Sequence, residues 1–237
     1  MRFEFWIDYL CPITYLTHKN LIETMNELNI KDYEFYYRSY QLDNEDKERL
    51  IKANRDLIEK FDLKLKDFDT DLLHQVAHLA KRKDLATEFT TLALVEIFEN
   101  NKDLSDPVLV KKVALESGLL EEDIDSVLTS KCYTKQISCN KINALGRKID
   151  TIPHIRINMK HNFRGFLEKE QMKNAVEEIV NELCKTVTCE NGSCSCTAIY
   201  WVLDEDMINF ISFFIFKIDM LNYIFRFNVK DRGLIIW

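Results

Sequence analysis

The first forty residues change their hydrophobic period twice, and this pattern constrains the fold more than any other feature of the chain. Residues 2–7 alternate like a buried strand, residues 12–29 carry apolar side chains at helical spacing, and residues 33–39 alternate again. A strand, a helix and a second strand in so short a segment form a βαβ unit with parallel strands and a right-handed crossover. The pattern therefore predicts the start of an α/β domain.

Cys11 lies where the first strand gives way to the helix, in the segment DYLCPITY at residues 8–15. A sulfur at this junction lies near the unpaired N–H groups of the helix start, and these donors and the helix dipole favour the thiolate. Three residues later, where a redox Cys-x-x-Cys motif has its second thiol, the chain has Thr14. The junction predicts a single reactive thiol. The alternative is a buried, inert cysteine in a site that has lost its activity.

The next hundred residues contain no convincing strand pattern. Helical periodicity appears in six stretches, at about 45–61, 70–84, 86–100, 107–117, 121–130 and 133–148. Asp106 followed by Pro107 is a typical helix start, with a capping side chain and a proline in the first turn. The chain has only 5 Gly and 3 Pro, which favours long helices over hairpins. We therefore predict an all-helical insertion.

Strand patterns return at residues 153–158 and 162–166, joined by a short turn, and a strong amphipathic helix follows at about 168–186. Outside the helical insertion, the predicted elements are β-α-β followed by β-β-α. This is the order of strands and helices in the thioredoxin fold, so the predicted class is α/β.

Four segments are similar to motifs of one known family. They are WIDYLCPITYL at 6–16, YRSYQL at 37–42, the helical insertion with Asp69-Thr70 and His74, and TIPHIRIN at 151–158. In this order and spacing they resemble the DsbA-like thioredoxin family, in particular its cytoplasmic FrnE-type branch, over about residues 1–186. The resemblance implies a thioredoxin fold with an inserted all-helical domain. Its expected parts are a thioredoxin-like domain of residues 1–42 and 149–186, a helical domain of residues 43–148, and an extension of residues 187–237.

The resemblance implies a thiol–disulfide oxidoreductase with Cys11 as its catalytic nucleophile. In a dithiol enzyme a second cysteine resolves the mixed disulfide that the first one forms. Because Thr14 replaces that cysteine, we expect monothiol exchange through Cys11. In this interpretation Thr14 is a second catalytic residue, whose hydroxyl helps to keep the sulfur ionised but cannot resolve the intermediate.

The resemblance also implies a substrate groove beside Cys11. By comparison with the family's cis-proline loop, the bond before Pro153 is cis and brings the backbone of Ile152 next to the sulfur. The expected substrate-binding residues are Pro12, Ile13, Ile152 and Pro153. Alternatively, Pro153 is only a proline tolerated at the start of a strand.

Two other functions stay open. Enzymes of the related kappa class lack the dithiol and activate the sulfur of glutathione at this helix start, so a glutathione-dependent transferase or isomerase is one alternative. The other is a non-catalytic binding protein that retains the groove. We expect no bound cofactor, and glutathione is a candidate co-substrate.

Charge and the N-terminal sequence set the expected partners and location. The net charge of −7 argues against nucleic acid. No basic segment followed by an apolar one opens the chain, so we expect no signal peptide and a cytoplasmic protein in which structural disulfides are rare. The expected partners are protein or small-molecule thiols and disulfides, without a membrane partner, and a homodimer is left open.

Other cysteines and histidines are weaker candidates. His74 and His78 are four residues apart, but two ligands do not make a metal site, so we expect a helix-surface or inter-helix pair and no metal. Cys132 and Cys139 are predicted to be packed core thiols.

The C-terminal region carries a cysteine cluster followed by an apolar segment. The cluster consists of Cys184, Cys189, Cys194 and Cys196. Three roles stay open for it: a thiol that resolves the Cys11 intermediate, a zinc site, or an incidental tail. The apolar segment 207–225 contains Lys217 and Asp219, which makes it a poor candidate for a transmembrane helix.

Overall fold

The computed structural model of the protein describes residues 1–186 and the side chains of residues 1–183. The predicted βαβ unit opens the chain, as β1 (Arg2–Ile7), α1 (Pro12–Glu27) and β2 (Glu34–Ser39). Seven helices follow: α2 (Asn44–Ala53), α3 (Arg55–Lys60), α4 (Asp71–Arg82), α5 (Ala86–Phe98), α6 (Pro107–Glu116), α7 (Glu121–Ser130) and α8 (Thr134–Gly146). The described part ends with β3 (His154–Ile157), β4 (His161–Arg164) and α9 (Lys169–Thr186). The predicted order of strands and helices is confirmed, except that one of the six predicted helices of the insertion is two helices.

The four strands of the described chain form one sheet in the order β2-β1-β3-β4. β1 runs parallel to β2 and antiparallel to β3, with Trp6 opposite His154. This register brings the segment that follows β1, where Cys11 lies, next to the segment that precedes β3, where Pro153 lies. The sheet is therefore the thioredoxin arrangement that the sequence predicted.

The two faces of β1 belong to two buried clusters. Phe3, Phe5 and Ile7 pack in a large cluster with side chains of α1, of the helical insertion and of α9. The opposite face carries Trp6, which packs in a smaller cluster with Cys11, Ile13, Tyr40, Leu50, Ala144, Ile149 and Ile152. Cys11 therefore lies in a hydrophobic cluster to which β1, α1, α2 and α8 all contribute.

A buried carboxylate ties the three strands β2, β1 and β3 together. Glu4 accepts hydrogen bonds from Arg38 Nη2 at 2.6 Å and from Arg156 Nε at 2.7 Å. Burial raises the pKa of Glu4, but the two guanidinium groups outweigh it and hold the pKa below its ordinary value. Since the folded pKa is lowered, these pairs stabilise the fold above the ordinary pKa and lose that effect as the pH falls through the lowered one.

The predicted helix 45–61 is two helices, because the helical conformation is interrupted at Asn54. The Asn54 side chain donates from Nδ2 to the carbonyl oxygen of Leu50 at 2.9 Å, and its backbone has left the helical region at φ −120°. Within residues 44–69 only Asp46 and Leu50 are buried. This α2–α3 segment therefore has few fully buried side chains, although it contributes Leu50 to the cluster that contains Cys11.

The prediction that Cys132 and Cys139 are packed core thiols is wrong, since both are exposed. The buried face of α8 is defined by Ile137 and Ala144, which are two turns apart. Cys139 lies two residues after Ile137, about 200° around the helix axis, and therefore points away from that face.

No helix within residues 1–186 is both long and apolar enough to cross a membrane. The predictions for residues 187–237, including the role of their cysteines and of the apolar segment, lie outside the described residues, as does the side chain of Cys184.

Candidate functional site

Cys11 is the N-cap residue of α1. Its backbone is extended, and its Sγ accepts a hydrogen bond from the backbone N–H of Thr14 at 3.3 Å. Pro12 occupies the first turn, where a missing N–H costs little. The predicted junction of strand, cysteine and helix start is confirmed, and the sulfur does receive a donor from the helix.

The helix-start donors favour the thiolate, as expected, but burial of the sulfur outweighs them. Cys11 is 0% exposed. Burial raises the pKa of the Cys11 thiol to about 12, although Thr14 and the backbone of Ile13 act to lower it. The free-energy cost of removing a thiolate from water exceeds the stabilisation that the N–H groups of the helix start provide. Burial therefore favours the protonated thiol of Cys11 in this structure.

Thr14 is buried beside the sulfur. Its hydroxyl lies close enough to lower the pKa of Cys11, but it falls short of hydrogen-bond geometry, and its Oγ1 has no hydrogen-bond partner among residues 1–186. A buried hydroxyl without a partner is uncommon and is costly to retain. The Thr14 side chain is thus free to donate to a sulfur that becomes ionised, whether that of Cys11 or of a bound thiol.

The loop before β3 lies against this site. The bond between Ile152 and Pro153 is cis, which confirms the prediction for that bond. Ile152 is 2% exposed and belongs to the cluster that contains Cys11. Pro12, Ile13 and Pro153 are also buried. The structure therefore brings the four predicted groove residues into one region and covers all of them.

Asp8 is a component of the site that the sequence analysis quoted but gave no role. It is 1% exposed, and its carboxylate accepts from the backbone N–H groups of Leu42 at 2.6 Å and Leu10 at 3.2 Å. His74 of α4 places Nε2 3.6 Å from Asp8 Oδ1. Burial raises the pKa of Asp8, but His74 and then the two N–H groups outweigh it and hold the pKa below its ordinary value. Asp8 thus links the end of β1 to the helical insertion.

The sequence held a signal for Asp8. A lone carboxylate interrupts the otherwise uncharged run WIDYLCPI at residues 6–13, and a charge inside a buried run needs a partner. The partner could not be identified, because His74 is distant in the chain.

His74 and His78 form contacts between elements, as expected for an inter-helix pair. The ring of His74 meets Tyr9 edge-on with centroids 5.2 Å apart, while His78 stacks on Tyr133 at 5.5 Å. Within residues 1–186, no group of three or more His, Cys, Asp or Glu side chains is arranged to hold a metal ion.

We expect Asp8→Asn to lower the pKa of the Cys11 thiol, because the negative charge of Asp8 is one of the causes that raise it. The pH dependence of Cys11 alkylation, followed peptide by peptide with mass spectrometry, measures this change. Asp69→Asn is the matched control, since Asp69 is an exposed carboxylate just before the helix that carries His74. An alkylation profile that stays unchanged or moves to higher pH in Asp8→Asn would contradict the assignment.

Comparison with known proteins gives one family for nearly all of the described chain. Residues 2–182 match the DSBA-like thioredoxin domain. A search of curated proteins gives no match.

Several solved structures share the fold at low sequence identity. A probable DsbA oxidoreductase from Streptomyces coelicolor is 17% identical, with a TM-score of 0.64 over 82% of this chain and 94% of that one. A 2-hydroxychromene-2-carboxylate isomerase is 14% identical, with a TM-score of 0.58 over 78% and 97% of the two chains. The cytosolic disulfide reductase DsbM from Pseudomonas aeruginosa, in its structure with GSH, is 10% identical, with a TM-score of 0.54 over 76% and 100%.

Proposed function

The chain belongs to the family of DSBA-like thioredoxin domains, and on this basis we propose that it is a thiol–disulfide oxidoreductase that works through one thiol, Cys11. The observation that carries the proposal is the position of Cys11 as N-cap of α1, with the Thr14 N–H donating to its sulfur. The residue that would supply a second thiol is Thr14, so a dithiol cycle within this motif is not available.

The first step is attack on a disulfide. The Cys11 thiolate attacks one sulfur of the substrate, a new Sγ–S bond forms, and the substrate S–S bond breaks with its electron pair going to the leaving sulfur. Cys11 is thereby oxidised to a mixed disulfide, and the leaving half of the substrate is reduced. The proton that Cys11 gives up ends on the leaving thiolate.

For the second step we propose a thiol from solution, namely glutathione. Its thiolate attacks the substrate sulfur of the mixed disulfide, so that Cys11 leaves as a thiolate and the substrate half departs joined to glutathione. The structure of DsbM with GSH, a protein of the same fold, supports this choice. The proposal includes a cytoplasmic location, where a glutathione pool is present. It also includes membership of the FrnE-type branch.

The exchange requires the closed site to open. A thiol that is 0% exposed with a pKa of about 12 neither meets a disulfide nor ionises. The α2–α3 segment, with two buried residues between 44 and 69, is the part of the cover that moves in this proposal. Opening returns water to Sγ, so that the helix-start donor acts on a solvated sulfur and favours the thiolate.

A glutathione-dependent isomerase or transferase is the second candidate. Two observations favour it: the likeness of fold to a 2-hydroxychromene-2-carboxylate isomerase, and the Thr14 hydroxyl, which has no hydrogen-bond partner within residues 1–186. In that case Thr14 would donate to the sulfur of bound glutathione, and Cys11 would not become covalently modified.

Cys11→Ser in a coupled assay of glutathione-dependent reduction of hydroxyethyl disulfide tests the proposal. We expect the rate to fall to that of the uncatalysed reaction, while Cys139→Ser, which removes an exposed thiol, leaves it unchanged. A Cys11→Ser protein that retains the parent rate would contradict exchange at Cys11.

A further inference from the structure

A groove of about 220 Å³ lies beside Cys11 and has no role in the exchange described above. Its apolar lining consists of Leu10, Pro12, Leu42, Leu50, Ile51 and Leu65. An apolar cavity of about 150 Å³ is enough for benzene in another protein. The groove therefore has room for a substituted aromatic ring or a branched aliphatic group.

The groove adjoins the reactive sulfur through two independent connections. Leu10 and Pro12, which flank Cys11 in the chain, both line it. Leu50 also lines it and belongs to the buried cluster that contains Cys11. A group that fills the groove therefore lies next to Leu50 and to the two residues that flank Cys11.

Exposed aliphatic side chains in the groove point to an apolar ligand. Ile51 is 36% exposed and Leu65 is 47% exposed, and both line the groove. Large aliphatic side chains gathered around a concave surface mark sites at which an apolar partner removes them from water.

The charged side chains that line the groove favour a ligand with a negative charge. Lys47 and Lys66 both line the groove, together with one carboxylate, Asp67. The Lys47 side chain is 24% exposed, whereas Asp67, its ion-pair partner at 2.7 Å, is 86% exposed. A ligand carboxylate can replace so exposed a partner at little cost. Lys66 donates to the neutral Asn101 Oδ1, and the carboxylate that its charge acts on, Asp103, is exposed.

We propose that this groove binds the substituent next to the reacting disulfide and selects an apolar group that carries a carboxylate. The inference rests on the proposed exchange at Cys11 and names the substrate class for it. Substrates of this class are aromatic or branched aliphatic thiols and disulfides with an acidic group, and not cationic ones.

Three disulfide probes test the selection. Dithiobis(nitrobenzoate) is aromatic and anionic, dithiodipyridine is aromatic and uncharged at neutral pH, and cystamine is aliphatic and cationic. Each rate of Cys11 modification, resolved by peptide mapping of the full chain, is divided by the rate of the same probe with the neutral thiol N-acetylcysteine amide. We expect the normalised rate to be highest for dithiobis(nitrobenzoate) and lowest for cystamine.

Lysine variants then assign the preference to the groove. In Lys47→Gln/Lys66→Gln we expect the normalised ratio of dithiobis(nitrobenzoate) to dithiodipyridine to fall by about tenfold, as for the loss of two nearby charges in a partly solvated site. Lys52→Gln, which removes an exposed lysine of α2 outside the groove, leaves the ratio unchanged. Equal normalised rates for the three probes, or a preference that survives the double substitution, overturn the inference but leave the exchange standing. A Cys11 that reacts with none of the probes overturns the proposed exchange itself.

Discussion

Replacing Thr14 by cysteine is expected to give a protein that completes disulfide exchange without an added small thiol. The backbone N–H of Thr14 lies 3.3 Å from Cys11 Sγ, so a thiol on this residue starts next to the mixed disulfide that Cys11 forms. An intramolecular thiolate held this close acts at an effective concentration far above that of glutathione in solution, so the bound half should be released at least about 100-fold faster. Threonine and cysteine are similar in size, so the buried position accepts the change.

The measurement is single-turnover release of product from a preformed mixed disulfide, in the absence of glutathione. Thr17→Cys is the matched control, because Thr17 is equally buried on α1 but lies about one turn, or roughly 5 Å, farther along the helix. If Thr14→Cys releases product no faster than Thr17→Cys, then Cys11 does not lie in an exchange-competent helix start.

Replacing Leu50 by alanine is expected to speed alkylation of Cys11. Leu50 is 7% exposed and is the buried apolar side chain that α2 contributes to the cluster around Cys11. Truncating a buried leucine costs about 2 kcal/mol or more. Here we expect the loss to fall on the form in which the α2–α3 segment covers Cys11, because that segment has few other buried side chains. A 2 kcal/mol shift in that opening equilibrium raises the modification rate by about 30-fold when opening is faster than reaction with the reagent.

Alkylation of Cys11 relative to the exposed Cys139 of the same molecules provides the readout, with thermal unfolding recorded in parallel. Ile51→Ala is the control, since Ile51 is the next residue of α2 and loses as much side chain, but it is 36% exposed and lies outside the cluster. Equal Cys11 rates in Leu50→Ala and Ile51→Ala would show that the α2–α3 segment is not what closes the site.

The elements of the fold could be predicted because each one carries its own local signal. The period of residues 2–39 defines β1, α1 and β2, and Asp106-Pro107 marks the start of α6. The break at Asn54 was missed, because a single asparagine inside a helical pattern does not reveal whether its side chain will bond the preceding turn. The burial of Cys139 was wrongly predicted, because an apolar spacing shows that a helix has a buried face but not which of two close faces it is.

The candidate site could be located from the sequence, but its ionisation state could not. Cys11, Thr14 and Pro153 lie where the motifs indicated, since strand order and register bring the two loops together. The pKa of Cys11 depends on its burial, and the cluster that buries it includes Leu50 of α2 and Ala144 of α8, which are remote in the chain. The pairing of Asp8 with His74 depends in the same way on how the helical insertion packs against the end of β1.

The central claim is that Cys11 forms a covalent mixed disulfide in the course of its reaction. Incubation of the full chain with oxidised glutathione, followed by peptide mapping, tests this directly. We predict a glutathione adduct on Cys11 that forms faster in Leu50→Ala and disappears when reduced glutathione is added. Adducts confined to Cys139 and other cysteines, with Cys11 unmodified in both proteins, would contradict the claim.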